Sequence, residues 1–200
     1  MANRNTVGFG LIPTGTVGAT PATAGQGKYF IDAAYDKDLF QGTVVQSKVG
    51  YIKAAEATRT LLTIGILNGI FYNAATTLKP TFDNKYIQPI TPANSEDITA
   101  FVIDNPMQLF VGSLNAAAAQ ADYGRTVSMT AANPSGSTTS GQSNKKLDDA
   151  NIHDTNNQFR LLRSAEDSEN DENAANRSVV VCQNLNQYMQ NTGTAGITWQ

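Results

Sequence analysis

The chain has 200 residues and a net charge of −3, with 40% hydrophobic but only 16% charged residues, and Asn, Thr, Ala, Gly, Ser and Gln make up much of the remainder. That length bounds it to one domain with appendages, or one domain and a small second lobe. Lys145-Lys146 is the only adjacent basic pair, so the basic footprint that neutralises phosphates is missing and nucleic acid is not an expected partner. A surface this poor in Lys and Glu suits a protein held in a large assembly, or an all-β extracellular module, better than an ordinary cytosolic enzyme.

Residues 1–27 are dominated by Gly, Thr, Ala and Pro. They lack the periodicity that would bury a face, so this segment should not fold alone. It reads either as disordered or as an extended N-terminal arm that lies on a neighbouring subunit. The spaced apolar residues Val7, Phe9, Leu11 and Ile12 favour the arm and are its candidate partner-binding residues. They do not form the continuous apolar core of a secretory signal. Residues 28–200 read as a single mainly-β domain, with the 131–176 loops as the place for a small lobe.

Tyr29–Ala33 reads as a short strand, and Asp36-Lys37-Asp38 as a turn. Leu39–Val49 follows as a strand weakened at Gly42, and Tyr51-Ile52-Lys53 pairs back across Gly50 as a hairpin. Residues 54–60 fit a short helical turn or a loop. Leu61–Leu67 and Ile70–Tyr72 are strands joined through Asn68-Gly69, a signal for a hairpin turn or a bulge. The whole Leu61–Tyr72 stretch is too short and too interrupted to span a bilayer, so the chain is expected to be soluble with no membrane partner. Pro80, Pro89 and Pro92 forbid a long ladder, leaving Tyr86-Ile87 as an edge pairing.

The Thr99–Met129 run carries three apolar or β-branched blocks separated by turn residues, with Asp104-Asn105-Pro106 turning the chain. Asn115-Ala-Ala-Ala-Ala-Gln120 predicts one or two helical turns. Residues 131–146 form a polar, low-complexity loop. Gln158–Arg163 and Ser178–Leu185 close the series of strands. Strands outnumber helices and turns recur about every ten residues, which predicts an antiparallel β-barrel or sandwich with long polar loops.

Candidate chemistry is thin. His153 is the only histidine, and a Ser-His-Asp mechanism would have to use it. No Gly-x-Ser-x-Gly elbow accompanies it. Asp149 and His153, four apart, would share a helix face, but a zinc site wants more ligands than these; a solvated turn is the plainer reading. Cys182, the only cysteine, excludes an internal disulfide and reads as a small buried hydrophobe in a strand. The acidic loop Glu166–Glu172 places Asp167, Glu169 and Asp171 at the first, third and fifth positions of an EF-hand loop. Glu172 then stands where that loop needs Gly, and Ser178 where it needs Glu, so a solvated hairpin tip is the simpler reading. Glu56, Glu96 and Asp97 offer carboxylates for glycoside hydrolysis, with nothing to set two of them across a cleft. Tyr29, Tyr51, Phe71, Tyr72, Phe82 and Tyr86 could line a sugar site, although core and interface packing accounts for them. No catalytic residue, cofactor or metal is assigned.

Several phrases resemble, in order, a family of small virion proteins of tailed bacteriophages. They are Asn3-Arg-Asn-Thr-Val-Gly-Phe-Gly-Leu11, Gly27-Lys-Tyr-Phe-Ile-Asp32, Ile64-Gly-Ile-Leu-Asn-Gly-Ile-Phe-Tyr72, Ile103-Asp-Asn-Pro-Met-Gln-Leu-Phe110 and Ala121-Asp-Tyr-Gly124, with a fainter echo in Val179–Asn186. These proteins come from head gene clusters, especially of marine and cyanobacterial phages, and resemble head decoration or cement proteins. The resemblance implies a non-enzymatic protein on the outer surface of the capsid head. Its partners would be the major capsid protein and neighbouring copies of itself, often as a homotrimer near local three-fold axes. Alternatives are a head–tail adaptor, a tail or fibre component, or a host-glycan-binding surface module. Function is expected to concentrate in the N-terminal arm and the polar loops.

Overall fold

The computed structural model describes residues 3, 6–18, 25–55, 61–130, 134–153, 156–171 and 173–189, with only the backbone of His153 included. It is an antiparallel β-sandwich. The barrel alternative is not realised, and the described residues contain no α-helix.

The chain starts in one sheet, builds the other, and returns to the first. Strand β1 (Leu11–Thr16) belongs to the first sheet. Strands β2 (Gly27–Ile31), β4 (Val44–Lys48), β5 (Tyr51–Ala54), β6 (Gly65–Asn73), β7 (Pro80–Asp83) and β9 (Ile98–Ile103) form the second. A two-stranded ribbon pairs β3 (Leu39–Phe40) with β8 (Lys85–Tyr86). Strands β10 (Gln108–Ser113), β11 (Thr126–Met129), β12 (Leu147–His153), β13 (Phe159–Ser164) and β14 (Ser178–Gln183) complete the first sheet. Its order is β1-β10-β14-β13-β11-β12; the second runs β2-β9-β6-β4-β5, with β7 added on β6. The second sheet curls until its edge strands β2 and β5 are neighbours, but no ladder joins them.

Local chemistry explains the breaks. Gly42 has φ +87° and divides the expected Leu39–Val49 strand into β3 and β4. Val49 and Gly50 both have positive φ and form the two-residue loop of the β4–β5 hairpin, with Lys48 opposite Tyr51. Such a loop matches the twist of the strands it joins. Asn68-Gly69 makes a bulge and not a hairpin. β6 runs straight through it while its register on β9 slips between Leu67 and Gly69. The Asp104–Pro106 turn carries the chain from β9 in one sheet to β10 in the other, so the Thr99–Met129 blocks are not a meander.

Two predictions fail for physical reasons. The Ala116–Ala119 run is not helical; only a single 3-10 turn over Gln120–Asp122 follows it. Its start is tied by Asn115 N–H donating to the Leu147 carbonyl, and its end by Arg177 Nη1 donating to the Ala118 carbonyl at 2.7 Å, while Ala118 packs in the core. Tertiary hydrogen bonds outweigh the intrinsic helix preference of alanine, which is only a few tenths of a kcal/mol per residue. Likewise Asp149 and His153 lie on strand β12, not in a turn or on a helix.

The second sheet separates two apolar cores. Val44, Ile66 and Ile103 on one face join Phe110, Val127, Leu147, Phe159, Leu161, Val179 and Val181 of the first sheet. Val45, Leu67, Ile70, Ile98, Ala100 and Val102 face the other way, under the β3–β8 ribbon and Tyr86. Alternation along each strand sends neighbours to opposite cores. The bulge at Asn68 keeps both Leu67 and Ile70 in the second one despite their odd spacing.

Candidate functional site

The face of the second sheet that packs on the first sheet is longer than its cover. Beyond Ile66 and Ile103 the same alternation places Phe71, Phe101, Thr99 and Phe30 on it. The ladders set one row across four strands: Phe82 of β7 opposite Phe71 of β6, Phe71 opposite Thr99 of β9, and Thr99 opposite Phe30 of β2. Phe101 and Lys28 form the next row. The Phe71 and Phe82 rings are 4.7 Å apart, and Phe82 lies nearly parallel to Phe101 at 6.5 Å. Lys28 Nζ sits 5.7 Å from the centre of the Phe30 ring. Phe82 is 73% exposed and Phe30 39%. Aromatic rings stacked with one another yet open to water are a contiguous apolar patch, the kind of surface that marks an interaction site.

The arm residues part company. Leu11 is only 2% exposed and belongs to the core between the sheets. Phe9, Leu11 and Ile12 line one crevice with Ile66 and Ile103, whereas Val7 stands apart, 67% exposed. Ile12 is 43% exposed and in register with Val111, which is opposite Val180, so it starts an aliphatic row over the outer face of the first sheet. The segment is fastened to its own chain. Asn3 Oδ1 accepts from Asp171 N–H at 2.6 Å, Asn3 Nδ2 donates to the Asp171 and Ala175 carbonyls, and Lys146 Nζ donates to the Thr6 carbonyl. Strand β1 is an edge, blunted by Pro13 and by a register shift between Pro13 and Gly15. Proline and bulges at edges discourage further strand addition.

The remaining candidates disperse. Among the described residues no three His, Cys, Asp or Glu side chains gather as a metal site. Asp167 and Asp171 accept from the N–H groups of Glu169 and Asn173 two residues on. Asn170 ties the same loop to Ser164, Ala165 and Ser178. Glu96 accepts from Asn73, and Asp97 from the Tyr51 hydroxyl; Glu56 and Glu172 lie outside the described residues. Cys182 is half-buried on the outer face of β14 instead of in the core. Burial pushes its thiol up, with Arg160 opposing, so it is a poor nucleophile. Tyr86 is fully buried and donates to the Tyr35 carbonyl at 2.8 Å.

One polar cluster had no sequence signal. The Tyr29 hydroxyl donates to Asp104 Oδ2 at 2.6 Å and meets the Tyr188 hydroxyl. Its single proton goes to Asp104, so Tyr188 is the donor in the second contact. Burial first, then the bond to Asp104, raises the Tyr29 phenol well above its ordinary value. Gly27 makes room: a Cβ there would stand 2.1 Å from Asp104 Oδ2. Partners 75 and 159 residues away from Tyr29 cannot be read from local pattern.

No helix among the described residues is long and apolar enough to cross a membrane. Compared with protein-family models, with curated proteins and with solved structures, the chain matches none.

Proposed function

We propose that this chain is a non-enzymatic structural protein of a virion, a decoration or cement protein that binds the outside of the major capsid protein lattice. The observation that carries the reading is the open aromatic end of the second sheet. Phe30, Phe71, Phe82 and Phe101 continue a face whose other half is a core, and such a face is built to be covered. The ordered phrases resembling phage head proteins point the same way, and Val7 and Ile12 offer further apolar contacts. A protein that binds the assembled shell better than its separated subunits stabilises the shell by mass action. Contacts repeated over a lattice, among them contacts between copies in a trimer, then multiply modest affinities.

The test is to mix the purified protein with mature shells assembled without it. The proposal expects co-sedimentation, raised resistance of the shells to heat, and copies in the hundreds per particle. A protein that ignores such shells contradicts it. About a dozen copies at one vertex would instead make it a head–tail adaptor.

A further inference from the structure

Behind the β6–β7 ribbon, on the side away from Phe82, lies a cleft of about 410 Å³. This is within the range of small-molecule sites, roughly 300–1,000 Å³. Ile87, Pro89 and Ile90 supply apolar lining, and Tyr72 an aromatic one. Tyr72 and Ile90 are themselves packed against the second core, so their positions are fixed. The loop strands around the cleft are held by Ala75 N–H donating to the Thr91 carbonyl, Ala74 N–H donating to the Lys79 carbonyl, and a bridge between Ala74 and Pro92.

The polar groups of this cleft have spare capacity. Asp83 Oδ1 pairs with Lys85 Nζ at 3.7 Å and accepts from Lys85 N–H, both side chains being part-exposed. Asp83 Oδ2 has no bond among the described residues, and the ammonium has donors left over. Among the described residues, the hydroxyls of Tyr72, Thr76 and Thr91 find no hydrogen-bond partner. The cleft therefore presents a carboxylate, an ammonium and hydroxyls around an aromatic and aliphatic lining, with no net charge from the Asp83–Lys85 pair.

That combination selects its ligand class. A phosphate or sulfate ester would want uncompensated positive charge, and the one lysine here already has a carboxylate partner. A lipid tail would leave the polar groups without partners. A molecule with several adjacent hydroxyls, each both donor and acceptor, and a C–H face to lay on a ring satisfies them all. We infer that the Tyr72–Asp83–Lys85 cleft is a binding site for a neutral pyranose, a terminal sugar of a glycan. The inference is independent of where in a virion the chain sits, since shell binding and sugar binding use opposite sides of the ribbon.

The test is a titration of the isotope-labelled full-length protein with galactose, glucose, mannose and N-acetylglucosamine in turn, each to about 50 mM, because single sugars bind in the millimolar range. The expected result is saturable shifts of the Ala75, Thr76, Lys85 and Ile87 amides with at least one sugar. Asp83→Asn and Tyr72→Phe should each weaken that binding about five-fold, the loss of one hydrogen bond, with the rest of the spectrum unchanged. Silence of these amides with every sugar overturns the inference. So does undiminished binding by both variants, or tighter binding of inorganic phosphate to the same amides.

Discussion

One face of the second sheet meets two fates. At one end Val44, Ile66 and Ile103 are sealed beneath the first sheet; at the other Phe30 and Phe82 are exposed, with Phe71 and Phe101 half-buried beside them. The same two-residue alternation produces both ends, and only the extent of the covering sheet separates them. Burial therefore distinguishes residues that hold the fold from residues free to hold a partner. The sealed end should govern stability and the open end association.

The largest effect is expected at the sealed end. Ile103→Ala and Ile66→Ala should each lower stability by about 2–5 kcal/mol, as for buried large-to-small changes, measured by denaturant unfolding. If they cost no more than the aromatic substitutions, the two ends are not different in kind. Next comes the open end. Phe82→Ala should leave stability within about 1 kcal/mol of the parent, losing only ring contacts with Phe71 and Phe101. Together with Phe101→Ala it should weaken shell binding at least about ten-fold, which is 1.4 kcal/mol. Unchanged binding in a folded double variant removes the open end from the interface.

Tyr29 gives a smaller, pH-dependent effect near that end. Its phenol is raised in the folded chain above the ordinary 10.0, chiefly by burial and then by Asp104. Its contribution is thus complete below about pH 10 and lost as the pH climbs past it. Unfolding measured between about pH 9 and 12 should show alkaline destabilisation that Tyr29→Phe reduces. An equal pH profile in the variant would contradict the assignment. The smallest effect belongs to Val49, as exposed as Phe82 but alone on a turn at φ +53°. Val49→Asn should raise stability by up to about 1 kcal/mol, because Asn tolerates that backbone better than a β-branched residue. It should leave shell binding untouched, which makes it a control for exposure without a patch.

Most strands and turns were legible because they depend on local pattern. Gly42 and Gly50 each mark an actual break and Asn68-Gly69 a bulge inside one strand, and the mainly-β class follows from strand content and turn spacing, which left barrel and sandwich both open. What local pattern could not provide was pairing across distance. The Asp104–Pro106 turn reads the same whether it closes a hairpin or changes sheets, and it changes sheets. The alanine run reads as helix until Arg177, some sixty residues on, takes its carbonyl. The aromatic residues of the open end were visible as Phe71 and Phe82, but Phe30 and Phe101 join them only through register. Leu11 reads as part of the arm because its segment is rich in Gly and Thr, yet it fills the chain's own core while Ile12 beside it stays outside.

The most direct measurement is a reconstruction by electron microscopy of mature shells decorated with this protein. The account predicts density on the outer surface, repeated over the lattice, with Phe30, Phe71, Phe82 and Phe101 buried against capsid protein or a neighbouring copy. Density in which that aromatic row faces solvent, or shells that stay bare, would contradict it.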